Sequence, residues 1–350
     1  MSNETRHAEV SRSDRVRSFE PPPAGFDPAT ATADALSRHG VPRRPDPERE
    51  PYLAERWASA FGRPLSIVAA ELASDPLPFR GRGDALTSYG VDGWAGVGRT
   101  IVRLGNAGPG GGGGPLPAGS YFTPATFVSA EWEVPQVTGD PADLDKYLSI
   151  WAGLDGFPEA DVDLLDPPPG QVLRGGVAAV PGGSEFRWVA WAEWWTSEYG
   201  VAGATVTNFP VQSGDTVGVV ICVTQPRSAT VFLANLSREH GTSVVVPAPA
   251  AAPRRFGSAG TTVEWIVEGG DPFLGYAGTN LSFSPVTFRG CVAGSPADVF
   301  HLQPDALVTN MFALEGIAQV PGPNVTRTSV TSPTTAVVEY VGAVVTDVTS

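Results

Sequence analysis

The chain has 350 residues, with 37 acids against 23 bases, a net charge of −14 and only 17% charged side chains. That balance, with no Lys/Arg cluster anywhere, argues against a nucleic-acid partner. Two cysteines (Cys222, Cys291) exclude a disulfide scaffold and leave room for one bridge at most. The histidines (His7, His39, His240, His301) are scattered without ligand spacing, so neither a metal nor another cofactor is expected.

Met1 to Asp14 is polar and lacks an apolar core, so no secretory signal is expected. No run of about 18 apolar residues exists, so no membrane helix is expected either. The default location is the cytoplasm, with secretion by another route left open. Sequons at Asn235, Asn280 and Asn324 are then expected to be idle.

Residues 1–20 read as a disordered polar leader, closed by Pro21-Pro22-Pro23. Residues 21–87 read as a helical extension. Asp27-Pro28 is a helix start, and Gly40 a stop. A second helix is predicted from Pro51 to Phe61, where Leu53, Trp57 and Phe61 recur every four residues. This extension is too poor in apolar residues for its own core. It is expected to pack on the main domain through Trp57 and Phe61, or to dock a partner.

From residue 88 to 350 the texture is β. The abundance of Gly (41) and Pro (34) suits short strands joined by turns. Gly93 to Arg103 leads in. The loop Gly105 to Gly119 is not a phosphate cradle, because no Gly-Lys-Ser/Thr follows. Strands are predicted at 127–134, 147–151, 171–180, 186–195, 205–209, 216–223, 229–236, 242–246, 262–268, 282–288, 306–312 and 336–341. About a dozen strands at this spacing predict an antiparallel sandwich or barrel. In Val263 to Glu268, alternation puts Glu264, Ile266 and Glu268 on one face and Val263, Trp265 and Val267 on the other. The second face belongs on a core. The first presents acid from a rigid sheet, and a solvated surface is the plain reading of it.

Several blocks, in order, resemble the signature of the glutamic peptidases (peptidase family G1, the eqolisins). They are Gly93-Trp94-Ala95-Gly96, Val128 to Pro135, Trp151-Ala152-Gly153-Leu154-Asp155-Gly156, Ala190-Trp191-Ala192-Glu193-Trp194, Leu233-Ala234-Asn235-Leu236 and Glu264 to Glu268. The resemblance covers roughly Gly93 to Tyr340. It implies a sandwich of two antiparallel sheets of the concanavalin A-like type. It also implies hydrolysis of peptide bonds at acid pH, in peptides or unfolded proteins, with Glu268 as general base on a water and a neighbouring glutamine stabilising the oxyanion. Asp155 and Glu193 match acidic positions of the same motifs. Trp94, Trp151 and Trp191 are candidates to join them along a peptide groove, with core packing an equal alternative for Trp94 and Trp151, whereas Trp194 and Trp265 are expected in the core.

The glutamine is where the sequence departs. The family's run is Ile-Leu-Gln-Thr-Gly, and the matching run here is Val172-Leu173-Arg174-Gly175-Gly176. Arg174 falls on the glutamine position. Gln171, three residues earlier, is the alternative, but an odd offset reverses the strand face. Arginine is a strong oxyanion donor, yet beside Glu268 it would form an ion pair and weaken the base. A silent, peptide-binding member of the fold is therefore the main rival. A carbohydrate-active sandwich is a further alternative, with Glu131 and Glu133 as the nearest acid pair. No Gly-x-Ser-x-Gly elbow or cysteine–histidine motif competes.

Overall fold

The computed structural model describes residues 15–62, 65–73, 94–101, 124–141, 147–156, 170–269, 281–295, 299–302, 306–315 and 320–342. The expected leader up to residue 14, the Gly105 to Gly119 loop and the sequon at Asn280 lie outside them. The N-terminal part supplies β1 (Arg17–Ser18), α1 (Ala33–Arg38), α2 (Pro51–Phe61), β2 (Ser66–Ala69) and β3 (Leu72–Ala73). The first half of the body gives β4 (Trp94–Thr100), β5 (Phe127–Glu133), β6 (Val137–Thr138), β7 (Leu148–Leu154), β8 (Gln171–Pro181), β9 (Phe186–Thr196) and β10 (Gly200–Val206). Next come β11 (Thr216–Gln225), β12 (Ser228–Asn235), β13 (His240–Pro247), β14 (Thr262–Gly269), β15 (Ser282–Phe283) and β16 (Val286–Gly294). The chain finishes with β17 (Val299–His301), β18 (Leu307–Thr309), β19 (Phe312–Glu315), β20 (Val320–Asn324), β21 (Thr326–Ser332) and β22 (Thr335–Tyr340).

Two large sheets face each other. The first runs β1-β13-β12-β11-β5-β16-β22-β21, with β17 beside β16 and β2 beside β13. The second runs β18-β4-β14-β7-β8-β9-β10-β3. Among the described strands pairing is antiparallel, apart from β2 on β13. Alternation decides what each face buries. Val128, Ala130 and Trp132 of β5 and Val217, Val219 and Ile221 of β11 point inward from the first sheet. They meet Leu148, Ile150 and Ala152 of β7 and Val263, Trp265 and Val267 of β14. Trp265 is fully buried, and its indole N–H donates to the Ser129 carbonyl at 2.9 Å, tying the two sheets together. Trp194 lies in the same core.

The extension packs on the outer face of the first sheet. Leu36, Trp57 and Phe61 meet Phe232, Ala234 and Leu236 there, as the four-residue stripe of α2 requires. It also adds strands. β1 and β2 pair with β13, and β3 pairs with β10, so residues 15–73 contribute to both sheets. The first helix begins later than expected. Asp27 is spent on a turn, accepting from the Ala29 N–H at 2.9 Å, and Thr32 is the cap, accepting from the Ala35 N–H at 3.2 Å.

Most body strands match their predicted spans to within a few residues. Three differ. The strand expected at 205–209 is β10 at 200–206, because Gly200 (φ 75°) closes a tight hairpin held by the Thr196 hydroxyl. The span 282–288 splits at Pro285, which has no N–H for a ladder. The span 306–312 divides into β18 and β19.

Candidate functional site

Five neighbouring strands of the second sheet, β4, β14, β7, β8 and β9, build a cluster on its outer face. Register sets the rows. Glu268 lies opposite Ser149, Glu264 opposite Gly153, Gly153 opposite Arg174, and Arg174 opposite Glu193. Residues directly opposite share a face. Glu268, Glu264, Ser149, Arg174 and Glu193 therefore belong to one surface, with Trp151 and Trp191 between the rows.

Arg174 is the centre. Its Nη1 lies 2.6 Å from Glu268 Oε2, its Nε donates to Glu193 Oε1 at 2.9 Å, and its Nη2 lies 2.8 Å from the same oxygen. The guanidinium lies over the rings of Trp151 and Trp191, 5.0 and 5.2 Å from their centroids. Trp151 also donates its indole N–H to Glu268 Oε2 at 2.9 Å, and Trp94 meets Trp151 edge-on. Burial works against the charge on Arg174. The two carboxylates outweigh it and hold the guanidinium above its usual range. Three N–H groups of Arg174 are used in these contacts, out of the five that a guanidinium carries.

Trp94, Trp151 and Trp191 are 4%, 0% and 0% exposed. They form a floor, packed with Val172, Ala178 and Ile266, rather than the open walls of a groove.

A family model of the peptidase A4 family matches residues 114–340, more than half of the chain. The chain belongs to this family of glutamic peptidases. Solved structures similar to it include scytalido-glutamic peptidase with a peptide-based transition state analog, 19% identical over 71% of this chain and 98% of that one, at a TM-score of 0.48. SCP-B, a member of the eqolisin family in complex with the tripeptide Ala-Ile-His, is 20% identical over 71% and 98%, at 0.45. Aspergilloglutamic peptidase from Aspergillus niger is 24% identical over 55% and 98%, at 0.39. No curated protein matches.

In this peptidase A4 chain, the cluster gathers Glu268, Arg174, Glu193, Trp94, Trp151 and Trp191. It does not gather Gln171. That side chain faces the sandwich interior with Leu173, accepts from the Trp194 indole at 3.2 Å and donates to the Gly257 carbonyl at 3.4 Å. No bulge between Gln171 and Arg174 restores its parity, since the β8–β9 register is continuous. Asp155 stands just past β7 with φ 70°. Its carboxylate accepts from the Ser258 hydroxyl and from the Ala259 and Thr261 N–H groups, at 2.8, 2.9 and 2.9 Å. It pins the loop before β14 instead of lining the Arg174 cluster.

Two residues of the face carried no expected role. Glu264, read as solvated, is 0% exposed. It accepts from the Gly156 N–H at 2.9 Å and the Thr262 hydroxyl at 3.3 Å. Burial pushes its carboxyl up to about 8, with Asp155 adding to the shift and the Gly156 N–H opposing it. Ser149, also 0% exposed, has no hydrogen-bond partner for its hydroxyl among the described residues. Its signal was its parity with Trp151. Glu131 and Glu133 sit on β5 of the other sheet. Glu131 faces Arg56 at 3.8 Å, away from this cluster.

The cluster needs Gly153. A Cβ there would stand 2.8 Å from the Trp151 ring and 2.9 Å from Glu264 Oε1. Gly153→Ala is therefore expected to destabilise by about 1–3 kcal/mol and to disturb the Trp151–Glu268 contact. Urea unfolding read by tryptophan fluorescence checks this, and an unchanged midpoint would contradict it. Among the described residues no three His, Cys, Asp or Glu groups form a metal site, both cysteines are free, and no helix is long and apolar enough to cross a membrane. Asn235 is 0% exposed and bonded to the Pro210 carbonyl and to Asp215, so its sequon is closed to a glycan in the fold.

Proposed function

We propose that this family member hydrolyses peptide bonds in unfolded or extended substrates, with Glu268 and Arg174 as the reacting pair. Support comes from one observation above the rest. The carboxylate at the family's catalytic position and the side chain at its glutamine position lie side by side at 2.6 Å. Glu268 takes a proton from a water, and the hydroxyl adds to the peptide carbonyl carbon. The carbonyl π pair moves onto oxygen, where the guanidinium N–H groups left over from the ion pairs receive it. The protonated Glu268 then gives its proton to the amide nitrogen as the C–N bond breaks. Arg174 and Trp151 both bond Oε2 of Glu268, which leaves Oε1 as the oxygen for the water.

Two carboxylates surround one guanidinium, so the trio carries a net charge of −1. The base is not fully neutralised by its partner. An acid working range follows from the family reading and is part of the same test.

A second reading is a peptide binder without chemistry. It is favoured by the depth of the ion pairing, because Arg174 and Glu268 are only 12% and 14% exposed and Glu193 is 1% exposed. The deciding assay is cleavage of an unfolded protein from about pH 2 to pH 7 by wild type and Glu268→Gln. We expect cleavage by wild type and a loss of at least about a hundredfold in the variant, the size of general-base contributions. No cleavage at any pH, from protein shown to stay folded, would reject the peptidase reading and leave the binder.

A further inference from the structure

The opposite side of the sandwich carries a cavity that this chemistry does not use. It lies between the outer face of the first sheet and the extension that crosses it, and measures about 520 Å³. That is within the range of small-molecule sites. Two periodicities build its wall. Val220 and Phe232 turn outward from β11 and β12, and α2 lowers Leu53, Trp57 and Phe61 towards them. The two layers touch at Phe61 and Phe232, with ring centroids 4.9 Å apart. Towards β5 they part at Gly218, which supplies no side chain, whereas on β16 the Arg56 side chain of α2 lies directly against Gly290. A Cβ on Gly218 would meet only ordinary contacts, 3.5 Å from the Ala130 carbonyl and 3.7 Å from Glu131 Cβ. Burial pushes the Cys222 thiol in the same wall up to about 12, so it lines the space as a neutral group.

The charges around this apolar space do not cancel. Arg43, Arg56 and Arg289 line it with Glu50 and Glu131. Arg43 is spent on both oxygens of Glu50, at 2.7 and 2.9 Å. Arg56 approaches Glu131 only to 3.8 Å. Arg289, beside Glu131 in register, forms no ion pair among the described residues. One positive charge is left over, in a chain whose net charge is −14.

We propose that this cavity is a binding site for an apolar molecule carrying a single negative charge, such as an alkyl carboxylate. The alkyl part fills the space between Trp57 and Val220, and the carboxylate is received by Arg289 and Arg56. A cation would meet the arginine surplus, and a dianion would meet Glu131.

Titration calorimetry of the full chain with octanoate, decanoate and dodecanoate, all below micelle formation, tests the site. Each added methylene is expected to tighten binding about fourfold. Decanol should bind more weakly than decanoate, and the decyltrimethylammonium cation weaker still. Arg289→Gln, an exposed position, should weaken decanoate about tenfold and leave decanol unchanged. Gly218→Leu should fill the space and abolish binding, and its thermal melt checks the fold. If that variant does not fold, Arg289→Gln decides. No binding to wild type would overturn the proposal. So would equal affinity for decanol and decanoate, or decanoate affinity unchanged by Arg289→Gln. Neither variant touches Arg174 or Glu268, so peptide cleavage is read independently.

Discussion

Arg174→Ala is expected to lower stability by about 3–5 kcal/mol at neutral pH, the cost of stranding a buried charge by removing its partner. Two carboxylates depend on this guanidinium. Glu193 is 1% exposed and Glu268 14% exposed, so water cannot replace the lost counter-charge. The stacking of the guanidinium on Trp151 and Trp191 is lost as well. Glu193→Gln and Glu268→Gln in the same chain should return much of the stability, because a neutral amide needs no cation. Denaturant unfolding of the three proteins at about pH 7 gives the comparison. A loss below about 1 kcal/mol at neutral pH would mean that the ion pairs are far better solvated than their exposure indicates.

The second large effect is the pH dependence set by Glu264. Its folded value is pushed up to about 8 from an ordinary 4.5, first by burial. A carboxyl raised in the folded state binds its proton more tightly there than in the unfolded chain. Its contribution to stability is complete below about pH 4.5 and declines as pH rises towards 8. Over that window the decline reaches on the order of 3 kcal/mol by pH 7. Asp155, raised in the same direction by burial, adds a slope of the same sign. The difference between wild type and Glu264→Gln isolates the Glu264 part. The variant should be less sensitive to pH between about 4.5 and 8. Parallel curves for the two proteins would show Glu264 to be ionised and stabilised where it lies.

These two predictions fall on residues that were unequally legible. The conflict at Arg174 was visible from alignment with the motif alone, because an arginine beside a base must pair with it. The reach of its side chain to Glu268 was not visible. The two residues are not on adjacent strands, and the guanidinium crosses β7 over Trp151 to make the contact. Glu264 was misread as solvated. A period of two places a residue on a face but does not say what covers that face. The rejection of Gln171 was half legible. An odd offset predicted the wrong side, and the continuous β8–β9 register then excluded the bulge that would have rescued it.

The sequence by itself determined the class of fold, most strand spans, the core placement of Trp194 and Trp265, and the order of the motif blocks. The β class, the strand spans and the core faces follow from alternation, turn residues and local spacing, which act over a few residues, while the ordered blocks carried the resemblance to the family and with it the sandwich. Only the tertiary structure decided the rest. It drew β1, β2 and β3 of the extension into the edges of the two sheets. It spent Asp155 on the 258–261 loop. It left Ser149 buried beside Glu268 without a hydrogen-bond partner among the described residues, and it opened a cavity beneath the extension. Each of those outcomes depends on which distant segment lies alongside. Burial and charge pairing between distant segments are properties of the packed chain, and no local pattern encodes them.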